Sequence, residues 1–190
     1  MTARLRARAL AAALAVALAA AGCASDTPAA PADAAPAPAG PDLALTADGA
    51  GRLTAATPFD LAAVQAALPA GVTAERHDGP AGEPVLWALR DGRIVFEITA
   101  AAGRVARIDA PSEAVSGPGG VRPGQTFAEA GAESLDCAVG TGDLRDRAVC
   151  RGAGVDLVFA DRVLVGQTVL PPDAALAGAF LERLVWRADG

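Results

Sequence analysis

Residues 84–98 read PVLWALRDGRIVFEI and predict a β-hairpin. The dipeptide Asp91-Gly92 stands in the middle, and this pair favours a tight two-residue turn. On both sides of it, apolar residues occupy every second position, which is the period of a β-strand. These residues are Val85, Trp87 and Leu89 before the turn, and Ile94, Phe96 and Ile98 after it.

A helix start precedes the hairpin. The segment Thr57-Pro58-Phe59-Asp60 offers a threonine cap, a proline at the first helical position and an acid three residues after the cap. Leu61, Val64 and Leu68 then fall on one helical face, and Pro69 marks the end. The pattern predicts a short amphipathic helix that packs on the strands.

The same kind of start recurs in the second half of the chain. Thr126-Phe127-Ala128-Glu129 repeats the Thr-x-x-acid arrangement sixty-nine residues after Thr57. We therefore predict an α+β fold with two pseudo-repeats, each a capped helix followed by an antiparallel β-meander, that share one core. Beyond the hairpin, further strands are predicted at 104–109, 135–139, 148–152, 155–159 and 184–187.

The beginning of the chain predicts export. Arg4, Arg6 and Arg8 precede twelve Ala, Leu and Val residues at 10–21, the positive and apolar regions of a secretory signal. At about 1.5 Å per residue, this apolar segment falls short of the roughly 30 Å hydrocarbon core, which disfavours a transmembrane helix.

The residues that follow resemble the lipobox of bacterial lipoproteins. The small residues Ala20-Ala21-Gly22 end at Cys23, which implies cleavage before Cys23 and its acylation, palmitate included. The alternative is an ordinary cleaved signal with an incidental cysteine. Ala24 follows Cys23 where retained lipoproteins carry aspartate, so the resemblance favours a lipid anchor in the outer membrane, with the protein facing the periplasm.

The predicted organisation has three parts. Residues 1–22 form the lipoprotein signal peptide, and residues 23–41 hold the lipidated Cys23 and an Ala/Pro-rich spacer. Proline every few residues forbids a regular helix and keeps such a spacer extended. Residues 42–190 form a single α+β periplasmic domain.

Composition excludes several classes of function. The chain has 190 residues, 50 of them alanine, and its 22 acidic residues outnumber its 16 basic ones, which argues against a nucleic-acid partner. One histidine makes a His-based triad or a multi-His metal site nearly impossible. We predict no cofactor and no metal, and the sequence carries no indication of oligomeric state.

Cys137 and Cys150 remain once Cys23 is assigned to the anchor. An even pair in an oxidising compartment predicts a disulfide, here closing a loop between adjacent strands. A metal site would need more ligands, and a catalytic thiol would need a nearby base. His77 is sixty residues from Cys137 in sequence, and it is predicted to be a solvated histidine at a strand end.

No catalytic residue is predicted. GGVRPGQT at 119–126 matches the phosphate-loop template except for Gln125 in place of lysine, which removes the charge such a loop supplies. The serines lack the elbow of hydrolases, and a carboxylate pair among the 22 acids is neither indicated nor excluded. Trp87 and Trp186 are predicted to lie in the core.

The chain carries a series of short motifs between Gly49 and Arg187. In order, they are Gly49-x-Gly51-x-Leu53-Thr54-Ala55-x-Thr57-Pro58-Phe59, Arg107-Ile108-Asp109, Gly124-x-Thr126-Phe127, Cys137 with Cys150, Val158-Phe159, Leu170-Pro171 and Leu184-Val185-Trp186-Arg187. This series resembles the sigma-E-regulated outer-membrane lipoproteins, a family of Gram-negative bacteria with a domain of unknown function. The resemblance covers about residues 48–187 and departs after Phe159, where relatives run Ser-Gly, a tryptophan and Gly-Pro and this chain has ADRVLVG at 160–166. It implies a lipoprotein linked to envelope stress with no assigned reaction.

These observations favour a non-enzymatic envelope protein that binds a protein or peptidoglycan partner in the periplasm. The alternative is an inhibitor or chaperone-like binder of an envelope hydrolase such as lysozyme, suggested by the acidic charge. An enzyme that uses carboxylates is the third hypothesis.

Overall fold

The computed structural model describes residues 43–188, and the predicted signal, Cys23 and the spacer lie outside the described residues. The described part is a mixed α+β structure made mostly of β-sheet. Its α-helices are α1 (Leu61–Ala67) and α2 (Asp173–Leu176). Its strands are β1 (Leu43–Thr46), β2 (Gly49–Ala50), β3 (Thr73–Asp78), β4 (Pro84–Arg90), β5 (Arg93–Ala101), β6 (Arg104–Ala110), β7 (Val115–Ser116), β8 (Asp136–Val139), β9 (Arg147–Arg151), β10 (Val155–Ala160) and β11 (Phe180–Arg187).

The predicted hairpin is β4–β5, and it is part of an eight-stranded sheet in the order β3-β4-β5-β6-β11-β10-β9-β8. Asp91 and Gly92 have φ of 52° and 72°, the paired positive values of a two-residue turn whose twist suits the strands that it joins. Each half of the chain contributes four consecutive antiparallel strands, and β6 pairs with β11 to join them edge to edge.

One face of this sheet, the inner face, carries the core. Phe96, Ile98, Ile108 and Trp186 are each at most 3% exposed and belong to one apolar cluster. Helix α1 adds Val64 to it, and the small sheet β2-β1-β7 adds further leucine and valine side chains. Burying these large side chains is the main source of stability.

The start of α1 is displaced from the prediction. The N-cap is Asp60, whose Oδ1 accepts from the Ala63 backbone N at 2.9 Å, and not Thr57. A tertiary contact explains this displacement, because the Phe59 backbone N donates to the Gly103 carbonyl in the β5–β6 turn. That contact holds the chain extended until Asp60, so the helix begins one turn later.

The second predicted helix is absent, so the pseudo-repeat of helix and meander is not confirmed. The Thr126–Glu129 capping box forms, with Glu129 accepting from the Thr126 backbone N at 2.8 Å. The chain then makes a single turn and reaches Gly131, whose φ of 65° ends it before a 3-10 helix at Ala132–Ser134. Phe127 is meanwhile anchored by its buried ring and by its backbone N, which donates to the Ala179 carbonyl at 2.7 Å. These contacts favour a turn over a helix.

The two tryptophans have different environments. Trp186 lies in the core, as predicted, and its Nε1 donates to the Ala47 carbonyl at 2.7 Å. The prediction for Trp87 was wrong, because the core-facing residues of β4 are Leu86 and Ala88. Trp87 therefore lies on the opposite face of the sheet, half-buried.

Within residues 43–188, no helix combines the length and the apolar character that crossing a bilayer requires. Residues 43–188 belong to one compact unit.

Candidate functional site

The outer face of the eight-stranded sheet, opposite the core, carries a row of charged side chains. Strand register places one residue from each strand in this row, because each pairs directly with the next. From one edge to the other the row is Glu75, Trp87, Glu97, Asp109, Val185, Asp156, Arg151 and Asp136.

Asp109 is the centre of an ion-pair network on this face. Its side chain is 7% exposed and accepts two hydrogen bonds from Arg107, at 2.6 and 2.7 Å, in the forked geometry that suits a guanidinium. Arg183 approaches the same carboxylate at 3.5 Å. A buried carboxylate needs such partners, and Asp109 obtains them from its own strand and from β11.

A β-bulge extends the network along β11. The register shifts between Val158 and Phe159 of β10, so Leu181 and Leu184 both reach the core although they are three positions apart, an odd spacing that would place them on opposite faces of a regular strand. Between them, Glu182 forms ion pairs with Arg147 and Arg183.

The connection from β8 to β9, residues 140–146, folds back over the outer face; we call it the Leu144 loop. Leu144 is 4% exposed and packs on a small apolar cluster formed by Val149, Val158 and Val185. Next to it, Asp143 accepts a hydrogen bond from Arg107 at 2.6 Å. The loop is thus held by the packing of the Leu144 side chain and by one ion pair.

A cleft of about 500 Å³ lies between the Leu144 loop and the sheet; we call it the charged cleft. Its charges come from three arginines and three aspartates, so the lining is balanced in sign. Most of them are already paired: Arg107 with Asp143, and Arg187 with Asp156. The charged residues that line it are Arg107, Arg151, Arg187, Asp136, Asp143 and Asp156.

Asp136 and Arg151 are the exception in this cleft. They stand directly opposite each other on β8 and β9, both are exposed, and neither forms an ion pair within residues 43–188. In the part of the chain that the structure describes, they are the charges of the charged cleft that remain open to a ligand.

The disulfide lies beside this open pair. Cys137 and Cys150 are bonded, as predicted, and they are also direct register partners with Cα atoms 4.0 Å apart. Strand β8 is a four-residue edge strand, a kind of strand whose pairing is weakly held. The bond therefore fixes the register that brings Asp136 to Arg151.

In three groups of the network, the effect of the ion pairs on the pKa outweighs the effect of burial. Burial lowers the pKa of Arg107, but the hydrogen bonds and charges of Asp109 and Asp143 outweigh it and leave that pKa raised. Burial raises the pKa of Asp143, and the hydrogen bond and charge of Arg107 reverse the effect, leaving it below its usual value. The pKa of Glu182 is lowered in the same way, against burial, by Arg147 and Arg183.

Comparisons with known proteins bear on the whole domain. A family model described as a protein of unknown function, DUF1131, matches residues 38–188. This chain belongs to the DUF1131 family. Among solved structures, it is similar to the crystal structure of the uncharacterized protein yfeY from Escherichia coli. The two share 22% identity with a TM-score of 0.57, over 75% of this chain and 98% of that one, which is a likeness of fold. No curated protein matches the chain significantly.

The DUF1131 assignment agrees with the resemblance only at the level of a domain of unknown function. Regulation by sigma-E, the lipid at Cys23 and the outer-membrane location stay predictions.

No group of three or more His, Cys, Asp or Glu side chains within residues 43–188 is placed to hold a metal ion. His77, predicted to be solvated, instead stacks on Trp87 with ring centroids 3.7 Å apart. Its Nε2 is buried, lacks a hydrogen-bond partner and lies 3.6 Å from Glu75. This histidine is on β3, at the opposite edge of the sheet from the charged cleft.

The charged cleft was not predicted from the sequence. Arg107, Asp109 and Arg187 belong to the quoted motifs but had no assigned role, and Asp136, Asp143 and Arg151 belong to none of them. One signal was present: Arg107 and Asp109 have opposite charge two residues apart on a predicted strand, which places both on one face. Their partners on β8 to β11 come from distant parts of the chain.

Proposed function

We propose that this protein is a non-enzymatic, lipid-anchored envelope protein that binds a partner, a protein or the cell wall, through the charged cleft. The observation that carries the proposal is the open pair Asp136 and Arg151 in a cleft whose other charges are satisfied by mutual ion pairs. Open charges on a fixed backbone suit recognition, because the backbone needs no reordering when a ligand arrives.

The direction of the pKa shifts supports binding over acid catalysis. A general acid working near neutral pH needs a carboxyl group whose pKa is raised. The pKa values of Asp143 and Glu182 are lowered by their arginine partners. Carboxylates held in this state are suited to structural ion pairs and to attracting cations.

Site-specific crosslinking tests the binding function. A photoreactive amino acid placed at Thr141, exposed on the cleft rim, should crosslink a partner in intact cells. Leu61 is a matched control, because it is 45% exposed on α1, the helix that packs on the inner face. Crosslinks at Thr141 and none at Leu61 are expected. Equal yields at both positions, or none at either, would refute binding at the cleft.

The intact mass of the protein tests the proposed lipid anchor at Cys23. The intact mass of the chain from its host should correspond to cleavage before Cys23, addition of acyl chains and loss of two hydrogens for the disulfide. A soluble, unacylated product would overturn the envelope tether.

The second candidate function is inhibition of a basic envelope hydrolase such as lysozyme. Exposed or half-buried carboxylates in the outer-face row favour it, because Glu75, Glu97 and Asp136 form no hydrogen bond or ion pair with an arginine within the described residues. Opposite charge would steer a cationic enzyme to this face. The purified chain should then slow lysozyme at low salt, and Glu97→Gln with Asp136→Asn should weaken the effect. Unchanged lysozyme activity at low salt would exclude this function.

A further inference from the structure

Asp136 and Arg151 present one negative and one positive side chain next to each other at the charged cleft. As direct partners on antiparallel strands, their Cβ atoms are about 5 Å apart. This is close to the separation at which one small ligand group could contact both.

The neighbouring charges direct a ligand to this pair. Arg107 is shared by Asp109 and Asp143, and Arg187 is held by Asp156. A ligand that displaced one of these partners would leave the other with an unpaired charge, which is unfavourable. The open side chains therefore determine which charges the cleft accepts.

Charges of opposite sign alternate along this part of the outer-face row, which makes simple ions poor ligands. Across β8, β9 and β10 the outer-face row reads Asp136, Arg151, Asp156. An anion on Arg151 would face a carboxylate on each side, and a cation on Asp136 would face Arg151. A ligand that carries both charges a few ångströms apart satisfies both side chains at once.

The frame of the pair is rigid. The Cys137–Cys150 bond lies one residue along each strand from Asp136 and Arg151. Since the two backbones are already fixed, only the two exposed side chains must be ordered when a ligand binds. The cleft volume of about 500 Å³ is also within the range of small-ligand sites.

We propose that the charged cleft binds the amino-acid end of a short peptide, with its carboxylate on Arg151 and its ammonium on Asp136. This rests on the proposed function and narrows the partner to the cell wall. An uncrosslinked wall peptide carries such an end on its diaminopimelate side chain, where an ammonium and a carboxylate share one carbon. The charge pairs formed are hydrogen-bonded ion pairs, the stronger kind of hydrogen bond.

Calorimetry on the full chain tests the ligand, with the tripeptide L-Ala-γ-D-Glu-meso-diaminopimelate as the probe. Two blocked forms, one acetylated on the side-chain amine and one amidated on the neighbouring carboxyl, should each bind about tenfold more weakly or worse. Arg151→Gln and Asp136→Asn should each weaken binding of the free tripeptide to a similar degree. Equal affinity for free and blocked forms would overturn the proposal.

Two further variants distinguish the loss of the two recognising charges from a general disturbance of the fold. Arg145→Gln is the matched control, because Arg145 is exposed in the Leu144 loop but lines a neighbouring recess and not the charged cleft. It should leave the affinity unchanged. The exchange Asp136→Arg with Arg151→Asp keeps both charges in reversed order and should recover part of the binding that either single variant loses. No recovery in a folded exchange variant would contradict recognition by this pair.

Tripeptide binding and crosslinking at Thr141 together distinguish a wrong ligand from a wrong function. If the tripeptide does not bind but Thr141 crosslinks a protein in cells, the ligand is wrong and the binding function stands. If the tripeptide does not bind and Thr141 yields no crosslink, both are wrong. Free diaminopimelate carries the same amino-acid end, so it should bind about as tightly as the tripeptide; if it binds about tenfold more tightly or better, the cleft selects a free amino acid and the cell-wall assignment is wrong.

Discussion

At the scale of single residues, Asp109 connects the two halves of the sheet. Its carboxylate lies on β6 and accepts from Arg107 of the same strand and Arg183 of β11, across the seam where the halves meet. A buried charge in such a position stabilises only while its partners are complete, and it becomes costly when they are removed.

Asp109→Asn should lower the free energy of unfolding by about 2–4 kcal/mol, because it leaves Arg107 and Arg183 without their shared counter-charge. Chemical denaturation would measure the difference. Glu97→Gln is the matched control: Glu97 is the register partner of Asp109 on β5 and has no ion pair within the described residues. Equal stability losses in the two variants would show that the network does not depend on Asp109.

Gly140 allows the Leu144 loop to close. A Cβ on this residue would lie 2.2 Å from the Leu144 carbonyl oxygen, a backbone atom that cannot move without opening the loop. Gly140→Ala should therefore destabilise the protein by about 2 kcal/mol or more. Gly178→Ala is the control, since nothing lies within 4 Å of its Cβ, and it should change stability by less than about 0.5 kcal/mol. Thermal unfolding of both variants compares them directly.

At the scale of elements, the Leu144 loop forms one wall of the charged cleft and is held by two independent contacts. One is the packing of Leu144 on Val149, Val158 and Val185, and the other is the Asp143–Arg107 ion pair. The packing contact is buried and the ion pair is mostly exposed, so they should differ in strength and in pH dependence.

Leu144→Ala should cost about 2–4 kcal/mol, the range for a buried leucine that leaves a cavity. Because the cavity lies under the loop and outside the main core, amides of residues 140–146 should lose protection from hydrogen exchange before those of β5 and β6. Leu61→Ala, at a surface position on α1, should be nearly neutral. Uniform loss of protection across the sheet would contradict a locally held loop.

The Asp143 contact should weaken in acid. The folded state lowers the pKa of Asp143, so this group contributes stability above its unfolded pKa, about 3.9, and loses it as pH falls through the folded value. Asp143→Asn should be less stable than wild type by under about 1 kcal/mol at pH 7, because the side chain is 63% exposed. The difference should shrink below about pH 4. A constant difference from pH 7 to pH 2 would exclude this ion pair as its source.

At the scale of the whole molecule, two four-stranded meanders are joined through β6 and β11 and leave β3 and β8 at the edges. The charged cleft is at the β8 end, where the edge strand has four residues. The disulfide at this edge connects global stability to the geometry of the candidate site.

Replacing Cys137 and Cys150 with alanine should lower stability by about 3 kcal/mol, the chain-entropy value for a loop of this size, and lower Tm by about 6–12 °C. Reduced wild-type protein should match the double variant. Fraying of β8 should also weaken tripeptide binding by more than Arg145→Gln does. Unchanged Tm after complete reduction would show that β8 is held by other contacts.

Local patterns in the sequence were sufficient for the disulfide and for strands β4 to β6 and β8 to β11, but they did not predict β1, β2, β3 or β7. Alternation around Asp91-Gly92 determined the β4–β5 hairpin, because the strand period and the turn preference both act over a few neighbouring residues. Once Cys23 is assigned to the anchor, only Cys137 and Cys150 remain, so only one disulfide pairing is possible. Charge and composition also argued against a nucleic-acid partner, and this remains a prediction.

Tertiary structure decided what local patterns could not. The capping pattern at Thr126 is the same in sequence as that at Thr57, yet contacts from Ala179 and the turn at Gly131 replace a helix by a turn. Trp87 lies on the outer face because the core side of β4 is set by its pairing with β3 and β5. The charged cleft unites residues from 107 to 187, whose proximity arises only when β6 pairs with β11 and the Leu144 loop closes over them. Short-range preferences determined most strands of the large sheet, and long-range packing determined where helices form and where the site lies.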